Sequence, residues 1–165
     1  MRRALFGNLY QVQGDSAVVQ YMQQWTDPKF DVSRIVVTAE QLKTAYGNVD
    51  ADLLEAIQTA IEQVKAYQAH ILPKDPEPMK LGGAELGMRS TPVDSAGIYV
   101  PGGTAVLFST MIMCVVPALV AGVPVENIAV VCPPPTRQAE QQDVGDVSDI
   151  VLATAYMLGL KKVYR

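Results

Sequence analysis

Gly97-Ile98-Tyr99-Val100-Pro101-Gly102-Gly103-Thr104-Ala105 is the stretch on which the reading of this chain turns. Ile98 to Val100 is a short β-branched and aromatic run of the kind a buried strand needs. Pro101-Gly102-Gly103 breaks it, because proline fixes φ and glycine permits positive φ. Ser109 and Thr110 then offer hydroxyls that cap a helix by accepting backbone N–H bonds. The apolar run that follows ends near Gly122, a common residue just past a helix C-terminus. The stretch therefore predicts strand, turn, helix. In α/β proteins that junction receives anionic or nucleotide ligands, since backbone N–H groups and the helix dipole both favour negative charge there. A glycine pair is a weak signal on its own, and a tight turn is the plainer reading of it.

Downstream, Asn127 to Cys132 reads as a second buried strand, stopped by Pro133-Pro134-Pro135. Residues 136–148 are polar and acidic, with no clear period. Ile150 to Leu158 reads as a helix ended by Gly159, and Lys161-Lys162-Val163-Tyr164 begins another strand. Residues 97–165 thus run β-α-β-α-β, which implies a parallel sheet with right-handed crossovers. The chain stops on that strand, whose unpaired edge invites self-association.

Upstream, residues 4–25 have helical spacing, divided at Gly14-Asp15-Ser16 with Asp15 or Ser16 as the cap of the second part. Ile35-Val36-Val37 is a short extended piece. Thr38-x-x-Gln41 fits a capping box and opens a helix that stops near Gly47-Asn48. Asp50 caps the longest helix. Its Leu53, Leu54, Ile57, Ala60, Ile61, Val64 and Tyr67 form one apolar face suited to core packing. Residues 73–80 read as an exposed loop or linker. Residues 84–93 and 96–100 read as two strands joined around Asp94-Ser95, with Pro92 confining its strand to an edge. The expected division is a helical segment over 1–80 and a partial Rossmann-like α/β domain over 81–165.

Composition sets bounds on function. The 165 residues are 49% hydrophobic and 18% charged, which is globular. A formal charge of −4 argues against a nucleic-acid binder, which needs a basic face. No apolar run reaches the roughly 18 residues of a membrane span, and the N-terminus has no signal-peptide pattern. Cys114 and Cys132, each within an apolar run, read as two buried free thiols in a reducing cytoplasm. His70, the single histidine, has no cysteine or acidic cluster near it and reads as a surface residue at a helix end. There is no Gly-x-Ser-x-Gly elbow and no phosphate-binding loop with a terminal Lys-Ser or Lys-Thr.

The central stretch carries a longer pattern. Gly97 to Ala105, then Phe108-Ser109-Thr110-Met111-Ile112-Met113, Val116-Pro117-Ala118-Leu119-Val120-Ala121-Gly122-Val123 and Val130-Val131-Cys132-Pro133-Pro134-Pro135 resemble the L-histidinol dehydrogenases. The closing Ala155-x-x-Leu158-Gly159-Leu160-x-x-Val163-Tyr164-Arg165 also fits, as do Gly14 to Val18 and Val49 to Leu54. That family makes histidine from histidinol in two NAD-dependent oxidations at a zinc site, with a Glu-His pair moving protons. The resemblance implies an N-terminal portion of such an enzyme: an incomplete Rossmann-like β-α-β-α-β unit behind a helical segment. The family's zinc ligands, Glu-His pair and most histidinol contacts lie beyond Arg165, so the resemblance assigns this chain no catalytic and no metal residue. Where the family often has a histidine after an aromatic in the long helix, Tyr67 is followed by Gln68.

What the resemblance does carry over is the cofactor side. Tyr99 matches an NAD-contacting tyrosine, and Pro101 lies in the same loop. Gly102 and Gly103 let backbone approach the dinucleotide, and Ser109 and Thr110 start the helix facing the site. The chain alone is expected not to oxidise histidinol. The other reading is a truncated homologue acting as a binding or oligomerisation module, its apolar surface covered by another copy or by a partner.

Overall fold

The computed structural model describes residues 12–102, 107–134 and 146–165. Its centre is a three-stranded parallel sheet of β3 (Ala96–Tyr99), β4 (Ile128–Val131) and β5 (Lys162–Tyr164), in that spatial order. Helix α4 (Phe108–Val120) joins β3 to β4, and α5 (Asp149–Met157) leads from the β4 side to β5. The strand–helix alternation expected from 97–165 is therefore present, and the α/β class stands.

Both helices end alike. Gly122 (φ 98°) and Gly159 (φ 72°) take left-handed backbone just past the helix. Val123 N–H donates to the Ala118 carbonyl at 3.0 Å and Leu160 N–H to Ala155 at 3.0 Å, each reaching back across the final turn. This Schellman closure turns the chain toward the next strand, which follows α5 within three residues of Gly159 and follows α4 after a 3-10 turn at Val125–Asn127.

The strand order fixes which face is covered. Three strands laid side by side in sequence, with crossovers of one hand, place both connecting helices on the same side. Ile98, Val130 and Val163 form one row on that side and pack with Met111, Val115, Val116, Val151, Leu152 and Ala155. The next row, Tyr99, Val131 and Tyr164, points to the opposite side. There Tyr99 is 62% exposed and Val131 40% exposed.

The N-terminal helices form a further layer outside α4 and α5. Helix α2 (Ala39–Asn48) packs on α5, with Tyr46 against Tyr156 at 5.0 Å between ring centres. Asn48 Nδ2 donates to Asp149 at 3.0 Å across the same junction. Helix α3 (Ala51–Ile71) packs on α4. The caps are those the sequence names. Gln41 N–H donates to Thr38 Oγ1 at 3.2 Å while Thr38 N–H donates to Gln41 Oε1 at 2.9 Å, and Asp50 accepts from Asp52 N–H at 2.9 Å. Of the α3 stripe only Ile57 is fully buried. Leu53, Ala60, Ile61 and Val64 are partly covered, and Tyr67 is exposed.

Four expectations change. Helix α1 (Asp15–Trp25) is not capped by Asp15 or Ser16: Gly14, at φ 55°, is the cap residue, and Asp15 is the first helical residue. The segment 84–93 is not one strand joined to 96–100. Instead β1 (Met79–Leu81), which begins inside the loop expected over 73–80, pairs antiparallel with β2 (Ala84–Leu86). Gly82 and Gly83 supply the two positive φ angles that a two-residue hairpin turn requires. Ser109 and Thr110 do not cap α4. The helix begins one residue earlier, at Phe108, so they sit in its first turn and Thr110 N–H donates to the Leu107 carbonyl at 3.0 Å. Finally, the outer edge of β5 is not bare: Val36 bridges Tyr164 antiparallel, Val37 N–H donates to Val163 and Arg165 N–H to Ile35, both at 2.9 Å.

Candidate functional site

The carboxyl ends of parallel strands are where open α/β sheets take ligands, because the loops leaving them diverge and the following helix presents its N-terminus. Here three such ends lie side by side. Val100 N–H donates to the Val131 carbonyl at 2.9 Å, and Cys132 N–H donates to Tyr164 at 2.8 Å, so the ladder holds to the last residue. Val100 itself is buried, which anchors the turn that begins at Pro101.

Tyr99 stands on the uncovered face at this end, its ring open to solvent. Pro101 is partly buried and Gly102 exposed, directly beyond it. Gly102 also has a packing reason to be glycine. A Cβ built there lies 2.0 Å from the carbonyl oxygen of Pro133 and 3.0 Å from its carbonyl carbon. The turn leaving β3 therefore rests on the chain leaving β4. Ser109 is exposed and Thr110 half-buried in the first turn of α4, whose cap residue Leu107 has no side-chain acceptor to offer the first N–H groups. Gly103 lies outside the described residues.

Tyr164 is the residue that sequence reasoning passes over. It sits two strands from Tyr99, in register through Val131, on the same face. An aromatic at the end of each outer strand was readable; their common row was not, since register is set by the fold.

The groups at this end are suited to contact rather than to proton transfer. Tyr99, Pro101, Val131, Pro133 and Tyr164 bear no carboxylate or imidazole. The Cys132 thiol is buried, and loss of solvent pushes it up to about 12, so it stays protonated at neutral pH. Cys114 is exposed, contrary to the expectation of two buried thiols. Helix α4 buries Met111, Ile112, Val115 and Val116, and the turn of about 100° per residue carries Cys114 to the far side. The buried guanidinium of Arg165 is held by Asp146, with Nε to Oδ1 at 2.7 Å, and donates from Nη1 to the Arg34 carbonyl at 3.0 Å. It ties the end of β5 to the segment before α2. In that segment Asp27 accepts from the Lys29 N–H at 2.9 Å and pairs with Arg34, which together hold its carboxyl below the usual range.

Comparison with known proteins follows the same lines. Residues 9–165 match the profile of the histidinol dehydrogenases. The chain belongs to the histidinol dehydrogenase family. It is 37% identical over 153 residues to histidinol dehydrogenase 2 of Nostoc sp., covering 93% of this chain and 33% of that one. It is 40% identical over 155 residues to the histidinol dehydrogenase of Bacillus subtilis, covering 92% and 33%. The crystal structure of histidinol dehydrogenase from Elizabethkingia anophelis superposes with a TM-score of 0.84 at 26% identity, over 98% of this chain and 35% of that chain. The chain thus spans about a third of the length of the histidinol dehydrogenases it matches.

Zinc, which the family resemblance implies for the complete enzyme, finds no fit among the described residues. Among the described residues no three His, Cys, Asp or Glu side chains converge as a metal ion requires. His70 is exposed in the last turn of α3. Nor, among the described residues, is any helix long and apolar enough to cross a membrane.

Proposed function

We propose that this chain supplies one wall of the NAD site of a histidinol dehydrogenase-type enzyme, at the carboxyl ends of β3 and β4. The observation that carries this reading is Tyr99: a large ring left in solvent at the end of a parallel strand, ahead of a helix N-terminus. Such a ring lies flat against a planar base at little entropic cost, having two χ angles to fix. The first-turn N–H groups of α4 suit the pyrophosphate. Pro101 and Gly102 set the distance between ring and helix, and Ser109 and Thr110 add hydroxyl donors beside it. NAD, when bound, accepts hydride; this chain's residues bind and orient it.

Taken alone, the chain is inferred to be a binding unit. Its accessible end presents aromatic and apolar groups, and the proton-moving and metal-holding groups of the reaction are attributed to the rest of the family fold. Its two free thiols suit the reducing cytoplasm we infer for it. The test is titration of the 165-residue chain with NAD, followed by saturation-transfer NMR. Tyr99→Ala is expected to weaken binding about tenfold, the effect of losing one stacked ring. Unchanged affinity in that variant overturns the site. Histidinol-dependent NAD reduction, assayed with zinc present, is expected to be nil, and turnover refutes the division of labour.

A further inference from the structure

Pro133 stands where the ladder between β3 and β4 ends. In the register that pairs Tyr99 with Val131, Val100 N–H donates to the Val131 carbonyl at 2.9 Å. The next bond of a parallel ladder would run from the N–H of residue 133 to the Val100 carbonyl. Proline has no N–H to give. On the other side of the same strand Cys132 N–H still reaches the Tyr164 carbonyl at 2.8 Å. Strand β4 is therefore tied to a neighbour on each side up to Cys132 and parts from β3 at the following residue. Central strands exclude proline for this reason, so Pro133 marks the mouth between the two strand ends.

That mouth has a set width. The three atoms nearest a Cβ built on Gly102 all belong to Pro133: its carbonyl oxygen at 2.0 Å, its carbonyl carbon at 3.0 Å and its ring Cγ at 3.3 Å. A carbon–carbon bond is about 1.5 Å long, so the Gly102 Cα lies within about 3.5 Å of that oxygen, in the range of a Cα–H···O contact. The oxygen is itself held from two sides. The ring of Pro133 fixes φ, and Pro134, which is buried, confines the ψ of the residue before it to extended values. Pro133 thus opens the gap through its missing N–H and limits it with its carbonyl.

We propose that Pro133 is a positioning residue of the cofactor site: it holds the Pro101-Gly102 turn off the chain leaving β4, at a spacing set before the dinucleotide arrives. The inference rests on the NAD reading and adds to it a residue that acts through Gly102. A preset spacing spares binding the cost of ordering the turn. Alanine at position 133 restores the missing donor, so the ladder can close by one more bond and draw the turn onto β4.

The test compares Pro133→Ala with the wild type, both as the isotope-labelled 165-residue chain, by amide hydrogen exchange, NAD titration and thermal unfolding. The amide newly placed at position 133 is expected to exchange roughly a hundredfold more slowly than in a free peptide. The affinity for NAD is expected to fall about tenfold, while Tm, which a purely structural role would lower, stays close to that of the wild type. An amide at position 133 that exchanges at the free-peptide rate overturns the proposal, and so does an NAD affinity within about twofold of the wild type. The wild type supplies a check that needs no substitution. Before NAD is added, its Gly102 N–H should show an order parameter of about 0.85, as in rigid backbone, and a value below about 0.6 overturns the preset spacing. A wild-type chain that takes up no NAD refutes the cofactor reading and this inference with it. A wild type that binds, with a Pro133→Ala variant that binds equally well, refutes this inference alone.

Discussion

Replacing Gly102 with alanine tests the geometry of the strand exits directly. The added Cβ falls 2.0 Å from the Pro133 carbonyl oxygen, and ordinary contact begins at 3.4 Å. Something must therefore give by about 1.4 Å, and what stands in the way is main chain, not the end of a flexible side chain. The backbone angle at Gly102 is not among the positive φ values, so alanine costs nothing in conformation and the whole effect is steric. Forced overpacking of this kind costs on the order of 2–3 kcal/mol. For a domain of this size each kcal/mol moves Tm by about 2–4 °C, so a fall of roughly 4–12 °C is expected. The assay is thermal unfolding followed by circular dichroism, with Gly97→Ala as the control. A Cβ at Gly97 meets nothing within 4 Å, and its Tm should stay close to that of the wild type. If Gly102→Ala melts with the wild type, the two exits do not touch and the packing role is refuted. A variant that melts normally but loses NAD leaves Gly102 with the cofactor role alone.

The thiols should separate cleanly. In the native protein a thiol reagent at pH 8 is expected to modify Cys114 promptly and Cys132 only after unfolding, which mass spectrometry of the labelled peptides reads; equal rates refute the burial of Cys132. Because folding raises the Cys132 pKa, its contribution to stability is intact below the unfolded value of about 8.5 and is lost as pH climbs toward 12. Cys132→Val should therefore unfold less steeply than the wild type over that range. Asp27 works in the opposite sense. Its carboxyl is held low by the Lys29 N–H and by Arg34, so its stabilising effect is present above about pH 4 and disappears as the pH falls below it. Asp27→Asn should lower Tm at pH 7, and the gap should narrow progressively as the pH falls below about 4; a constant gap refutes the assignment.

The order of elements was legible because each is fixed by short-range chemistry. Thr38 and Gln41, Asp50, Gly122 and Gly159 mark helix ends through their own hydrogen bonds or φ angles, and the structure keeps all of them. The hairpin at Gly82-Gly83 was equally readable, since a Gly-Gly pair between short apolar runs is a turn signal. The density of prolines around it drew the reading toward a loop. What the residues could not disclose is set by packing. Whether Cys114 faces in or out depends on which stripe of a wholly apolar helix the sheet selects. The pairing of Val36 with Tyr164 joins residues far apart in sequence, and the row Tyr99-Val131-Tyr164 exists only once the register is chosen.

On the proposed reading, stability and cofactor binding are divided between the two faces of one sheet. The side bearing Ile98, Val130 and Val163 is closed by residues within this chain, down to Ile57 of α3, in one continuous cluster. A substitution there removes buried volume and must lower stability, by about 2–5 kcal/mol for a truncation such as Ile57→Ala. The side bearing Tyr99, Val131 and Tyr164 contributes little to that core, so changes there can leave the melting temperature nearly untouched while altering what the chain binds. The division follows from strand order alone. Sequential strands with crossovers of one hand must put their helices together and leave the opposite face to other contacts. A third of the family fold can thus hold one continuous core and still leave Tyr99 and Val131 exposed on the other face of its sheet.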